Sequence, residues 1–160
     1  LTQVVGRAGR GEKLGRAVIQ TAFPDNEIIR LAQKQDFPAF FELEMQIRHS
    51  MIYPPFCDLC AIGFTGQEEA RVKSAAQVFL EHLKALHREQ YADMQLIALG
   101  PIAPRIARAA GKYRFRVLLK GRNDRRFRAF IAALLKDFAK QSAFSKAVSV
   151  TADINPENIY

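Results

Sequence analysis

The chain has 160 residues, 49% of them hydrophobic and 25% charged, which places it among globular proteins and outside the disordered and collagen-like classes. No apolar run approaches the roughly 18 residues that a membrane-spanning helix needs, and nothing resembles a signal peptide. The net charge of +8 points to a polyanionic partner, nucleic acid above all. That charge is concentrated. Between Arg105 and Arg128, ten Lys and Arg residues stand against one acid, Asp124, so the segment carries +9 and the remainder is about neutral.

In chain order, the first stretch is Gln3-Val4-Val5-Gly6-Arg7-Ala8-Gly9-Arg10-Gly11. Its glycines allow a close backbone approach to a ligand, and its arginines carry planar, permanently charged forks suited to phosphate oxygens. A basic, glycine-rich terminal loop is the plain alternative. Gly15 to Thr21 reads as a short strand, ending at the breaker Pro24-Asp25-Asn26. Glu27 to Gln35 reads as a short helix, and Asp36 caps a longer one reaching about Ser50. Phe37, Phe40, Phe41, Glu44, Ile47 and Met51 recur at helical spacing there, and the phenylalanines are expected to be a core stripe. Tyr53-Pro54-Pro55-Phe56 stops that helix and is expected to form a stiff, extended joint.

Cys57 and Cys60 form a Cys-x-x-Cys pair, but His49, His82 and His87 offer no matching spacing for two further zinc ligands. Buried, reduced cysteines are the expectation, with no metal bound, and two such residues without a secretion signal fit the cytoplasm.

The remainder reads strand, helix, strand, strand, helix, strand. The strands are Leu59–Thr65, Leu96–Leu99 (closed by Gly100-Pro101), Tyr113–Lys120 and Ala147–Asp153. The first helix, Gln67–Arg88, has Val72, Ala75, Ala76, Phe79, Leu83 and Leu86 on one face. The second, capped by Asn123 or Asp124, carries Phe127, Phe130, Ile131, Leu134, Leu135 and Phe138. This order gives an α+β, ferredoxin-like (split βαβ) arrangement, with two helices on one face of an antiparallel sheet and the other face open. Alternation along the third strand sends Tyr113, Phe115, Val117 and Leu119 to the core and Arg114, Arg116, Leu118 and Lys120 outward. Arg105, Arg108, Lys112, Arg114, Arg116 and Lys120 are therefore the candidate nucleic-acid contacts, gripping phosphates. A solvated basic loop is the bland reading of Arg105 and Arg108. Residues 51–160 contain no catalytic constellation.

Gln3 to Arg10, as Gln-x-x-Gly-Arg-x-Gly-Arg, resembles the last motif of superfamily 2 helicases, carried on the second of their RecA-like lobes. The resemblance implies that Arg10 is an arginine finger on the γ-phosphate of ATP and Arg7 a second phosphate contact. Gln3 and Gly6 complete the nucleotide-facing motif, with Gln3 coupling the nucleotide to lobe closure. Further along, Asp36-Phe37, Phe40-Phe41, Glu44, Arg48, Tyr53-Pro54-Pro55-Phe56 and the block from Gly100-Pro101 to Lys120 are similar, in the same order, to the family of primosomal protein N′. That family comprises bacterial replication-restart DNA helicases, and the similarity covers essentially the whole chain. Phe37 stands where the family often has Tyr, and Met45 where it often has Leu.

This resemblance implies a C-terminal fragment in three parts. Residues 1–26 would be the α/β end of the second RecA-like lobe, 27–56 a helical linker ending in Tyr-Pro-Pro-Phe, and 57–160 the α+β DNA-binding domain. It implies an intact ATP-dependent 3′→5′ helicase using Mg²⁺, with a structural zinc upstream of this fragment. That enzyme would recognise stalled forks and single-stranded DNA in the bacterial cytoplasm and start primosome assembly. Its partners would be the other primosome proteins, through them the replicative helicase, and single-stranded DNA-binding protein, whose acidic tail Arg125, Arg126 and Arg128 would receive. The chain has no Gly-x-x-x-x-Gly-Lys-Ser/Thr loop and no Asp-Glu pair, so it is expected not to hydrolyse ATP by itself. The alternative is a non-enzymatic, RRM-like or ribosomal-protein-like RNA-binding module. It shares the element order, and Lys112-Tyr113-Arg114-Phe115-Arg116-Val117 is loosely similar to its basic-aromatic strand.

Overall fold

Four helices and one antiparallel sheet account for nearly all the regular structure of the described residues. A computed structural model describes residues 17–140, 144 and 146–157. The chain divides into two compact units, Leu1–Met51 and Ile52–Tyr160, so the Tyr53–Phe56 segment belongs with the second.

In the first unit, residues 17–21 form no strand, contrary to the sequence expectation, and Val18 is exposed. A strand exists through its ladder partners, and none pairs with this stretch among the described residues. Helix α1 (Glu27–Lys34) is capped by Asn26, whose side chain accepts from the Ile28 N–H. It ends at Gln35, which adopts a left-handed conformation. Asp36 then caps helix α2 (Phe37–Ser50) through the Ala39 N–H at 3.1 Å, as expected. The phenylalanine stripe is not a core. Phe37 is 66% exposed and Phe41 53%, and no residue of α2 is buried. An amphipathic face is buried only where another element covers it; here the Phe37 ring lies against Phe40 and Phe41 at centroid distances of 6.3 and 6.4 Å.

In the second unit, Tyr53–Phe56 is a turn and not an extended joint: the Phe56 N–H donates to the Tyr53 carbonyl at 2.9 Å. The Pro54–Pro55 peptide is cis, the geometry of a type VI turn. Strand β1 (Asp58–Gly66) leads into helix α3 (Glu69–Gln90), then β2 (Ile97–Ile102), the two-residue β3 (Arg108–Ala109), β4 (Lys112–Gly121), helix α4 (Arg125–Ala139) and β5 (Val148–Ile154). The sheet order is β2-β4-β1-β5, antiparallel throughout, with β3 also pairing with β4. Two consecutive crossovers through helices on one face give this order, which is the ferredoxin-like topology.

Local chemistry explains the joints. β3 and β4 are joined by Ala110-Gly111, both at positive φ, as a two-residue type I′ hairpin requires. β2 does not close at Leu99; it runs on to Ile102 with a register shift across Gly100-Pro101. An edge strand tolerates proline at such an irregularity. Gly100 sits at φ 122°, where a Cβ would lie 2.8 Å from the Arg116 carbonyl oxygen. Asp124 caps α4 by accepting from the Phe127 N–H at 2.8 Å.

The core lies between the sheet and helices α3 and α4. Phe64, Phe79 and Phe138 meet edge to face at centroid distances of 5.3 to 6.2 Å, and Phe144 stacks on Phe138. Every apolar residue expected on the inner face of α3 is buried, as are those of α4 except Leu135, which is half-buried. Cys60 is in this core, where burial pushes its thiol up to about 11. Cys57 precedes β1, with its thiol against the Ile52 carbonyl.

Asp58 ties one end of the sheet. Its carboxylate accepts from the Asn123 N–H at 2.8 Å and from the Asn155 side chain at 3.0 Å, while Asn155 also bonds the Leu59 backbone in both directions. These bonds, the Asn123 N–H first, hold the Asp58 carboxyl below the usual carboxylate range. Asp58→Ala is expected to cost about 1 kcal/mol at pH 7, mainly by leaving the part-buried Asn123 N–H without its acceptor, since the Asn155 amide is open to water. Because the native pKa is depressed, the stabilisation is complete above about pH 4 and disappears as pH falls through the native value. Urea denaturation at pH 7 and pH 3 checks this. A gap between wild type and variant of equal size at both would show that the carboxylate charge plays no part.

Candidate nucleic-acid interface

The outer sheet face is laid out by register, since residues directly opposite each other on paired strands share a face. Arg114, Thr65 and Ser149 form one row across β4, β1 and β5, and Arg116, Gly63 and Thr151 the next. Leu118, Ala61 and Asp153 form the third, and Lys120 beside Leu59 the fourth. Towards β2, Ile102 stands opposite Arg116 and Leu99 opposite Leu118.

These rows differ in kind. Arg114 and Arg116 are partly exposed, and Ser149 and Thr151 exposed. Leu59, Leu118 and Lys120, at 5%, 6% and 6% exposure, are buried. The expectation of a fully open face is thus corrected: only its Arg114–Arg116 half is open. Lys120 is also removed from the candidate phosphate contacts. The Tyr53–Phe56 turn sets the Tyr53 ring over it, with Nζ 3.7 Å from the ring centroid, a desolvated cation–π contact.

Of the six candidate contacts, three share the open face. Lys112 is exposed, pairs with Ala109, and by alternation lies on the side of Arg114 and Arg116. Arg108 pairs with Tyr113 and lays its guanidinium over that ring at 5.1 Å, which puts it on the other side of β4. Arg105 is exposed in the connection between β2 and β3. The Arg114 Nε is buried and has no hydrogen-bond partner among the described residues. Tyr113 and Phe115 belong to the core side, as alternation predicts. Neither β1 nor β4 offers an aromatic residue on the outer face.

The candidate partner-binding arginines separate in the same way. Arg126 makes a bidentate pair with Asp93, at 2.5 and 2.6 Å, and lies over the Tyr91 ring at 5.5 Å. The bonds from Arg126 hold the Asp93 carboxyl below the usual carboxylate range. Arg128 donates to the Asp124 carbonyl at 3.3 Å, and Arg125 is exposed. Beside Arg126 a cleft of about 640 Å³ opens, lined among others by Phe56, Met94, Lys120 and Arg122. Sequence reasoning missed Arg122, and it missed Thr65, Gly63, Ser149 and Thr151 beside the arginines. Only strand pairing brings those four to β4. Gln3, Gly6, Arg7 and Arg10 lie outside the described residues. No group of three or more metal-ligating side chains occurs among the described residues, and no helix there is long and apolar enough to cross a membrane.

Residues 49–157 match the family model described as the primosomal protein N C-terminal domain. The chain belongs to that family. The chain is 34% identical to the replication restart protein PriA of Bacillus subtilis, across 98% of this chain and 19% of that protein. The PriA proteins of Rickettsia conorii and Haemophilus influenzae are 31% and 29% identical, covering 100% and 98% of this chain and 23% and 20% of their own lengths. The chain thus spans about a fifth of the length of these relatives. A designed protein with ferredoxin fold aligns with 63% of this chain at 12% identity and a TM-score of 0.45; the fold itself rests on the strand order. The primosomal protein N C-terminal domain match takes in the whole sheet and both of its helices, whereas Gln3 to Arg10 precede it.

The two faces of β4 predict opposite mutational behaviour. Phe115→Ala is expected to cost about 3–5 kcal/mol by opening a core cavity, and Arg116→Ala less than about 0.5 kcal/mol. Lys120→Ala should cost about 1–2 kcal/mol through loss of the Tyr53 contact, unlike its partly exposed neighbour Arg116. Denaturant midpoints of the three variants check this order.

Proposed function

We propose that this chain is the C-terminal part of an ATP-dependent 3′→5′ DNA helicase that recognises stalled replication forks and starts primosome assembly. Its α+β domain holds DNA through phosphates on the open half of the sheet. The observation that carries the DNA-binding part is the row Lys112, Arg114 and Arg116 on one solvent-accessible face of β4. The names of the relatives, replication restart proteins matched across almost all of this chain, support the wider reading. Guanidinium forks take phosphate oxygens two at a time, and no step of bond making is assigned to this domain.

In the intact enzyme, ATP and Mg²⁺ supply the phosphoryl chemistry, and Arg10 and Arg7 of this chain contact the phosphates, with Gln3 and Gly6 beside them. This chain alone is inactive as an ATPase, because it lacks a phosphate-binding loop. Arg125 and Arg128 receive the acidic tail of single-stranded DNA-binding protein. Arg126 joins them only if that tail displaces Asp93. The RNA-recognition alternative requires stacked bases, and the inward position of Tyr113 and Phe115 counts against it.

Two measurements test this reading. In the intact helicase, Arg10→Ala is expected to lower DNA-stimulated ATP hydrolysis by about 10³-fold or more, with DNA binding unchanged and poor rescue by Arg10→Lys. In this chain, Arg114→Ala and Arg116→Ala should each make the log–log salt dependence of DNA binding shallower by about 0.7–0.9, while Lys120→Ala leaves that slope unaltered. Normal ATP turnover by Arg10→Ala would remove the finger, and unaltered slopes for both arginine variants would remove the phosphate grip.

A further inference from the structure

We infer that the open half of the sheet is a track for single-stranded DNA, laid along β4 with three successive phosphates on Lys112, Arg114 and Arg116. The inference rests on the reading of this face as a phosphate grip, and it adds which form of DNA fits, in what register, and where the track stops. The three cations are alternate residues of one strand and stand roughly 6.8 Å apart. That repeat is close to the spacing of phosphates along an extended nucleotide strand, whose backbone a basic groove of this kind follows.

The neighbouring strands form a shallow trough beside the cations. Its residues are Thr65 and Gly63 on β1 and Ser149 and Thr151 on β5, all small. Gly63 is the floor, because a Cβ there would lie 2.9 Å from the Thr151 Oγ1. The hydroxyls offer donors for phosphate and sugar oxygens. On the opposite flank Ile102, 46% exposed and set against Arg116 by the register shift at Gly100-Pro101, offers an apolar surface to a sugar or base.

The track has a definite end. The next outward residue of β4 after Arg116 is Leu118, which is buried, and its row carries the exposed carboxylate Asp153. A fourth phosphate would meet an apolar patch and a like charge. A duplex suits this face poorly. Its strands curve rigidly around a wide axis, so a flat row and the trough beside it are met only over a short arc, whereas a flexible single strand can follow both. The row lies on a strand paired on both sides, whereas a groove admits a helix or a two-stranded ribbon and not a sheet. With no aromatic or amide side chain on these rows, bases go unread.

The test uses the full chain and measures dissociation constants at one low salt concentration for oligo-dT of increasing length and for a duplex of matched length. The single strand is expected to bind about tenfold or more tightly than the duplex. Affinity should rise steeply up to roughly four nucleotides, which supply three phosphates, and only slowly beyond. Ser149→Glu, an exposed change in the trough that leaves all three cations in place, should weaken oligo-dT binding about fivefold or more with no shift in melting temperature. If Ser149→Glu lowers the melting temperature, Thr151→Glu on the same strand replaces it in the same measurement. Equal or tighter duplex binding that still depends on Arg114 and Arg116 would overturn the single-strand track and leave the phosphate grip standing. Absence of binding to either DNA would overturn both.

Discussion

Strand β4 lies between β2 and β1 and can place only every second side chain against helices α3 and α4. Phe115, Val117 and Leu119 occupy those positions and are packed into the core with Phe64, Phe79, Phe127 and Phe130. The remaining positions are thereby committed. Arg114 and Arg116 must face away from the helices, and a slip of one residue would bury two guanidinium groups and expose two of the larger core side chains. The basic face is therefore held by the phenylalanine packing on its reverse, and the packing energy keeps the arginines in register.

The same alternation would also expose Leu118 and Lys120, yet both are buried. At Lys120 the difference comes from the Tyr53–Phe56 turn, which lays Tyr53 across the sheet before the chain enters β1. One face is thus divided crosswise into a covered apolar half and an open basic half. The irregularity at Gly100-Pro101 works on the other flank: it carries β2 past the point where proline would end a regular strand and sets Ile102 opposite Arg116.

Local pattern made most helices and the face of one strand legible. The periods of α3 and α4, the Asp36 and Asp124 caps and the inward face of β4 each follow from residues a few positions apart. Features that depend on distant partners were not legible. Nothing in the stripe Phe37, Phe41, Ile47 says whether another element covers it, and it is exposed. Nothing within Lys112 to Lys120 reveals Tyr53 above the last lysine. The pairing of β1 with β5, which brings Ser149 and Thr151 alongside Thr65 and Gly63, joins residues more than eighty positions apart. Alternation identifies which residues of a strand share a face; only the sheet order identifies their neighbours.

The +9 segment shows how far charge density in a sequence differs from charge on a surface. Lys120 is desolvated under an aromatic ring, Arg126 is neutralised by Asp93, and Arg108 is turned to the opposite side of β4. What remains on the open face is a row of three cations on one rigid strand. Such a row is worth more to a polyanion than the same charges on a loop, because the strand has already lost the backbone entropy that a loop would lose on binding. Its strength then depends on how many phosphates can be engaged together, which is a question of spacing and not of total charge. A strand repeats its side chains at a fixed interval along one face, and a nucleic acid repeats its phosphates at a fixed interval along its backbone; where the two intervals agree, each added contact costs little further ordering.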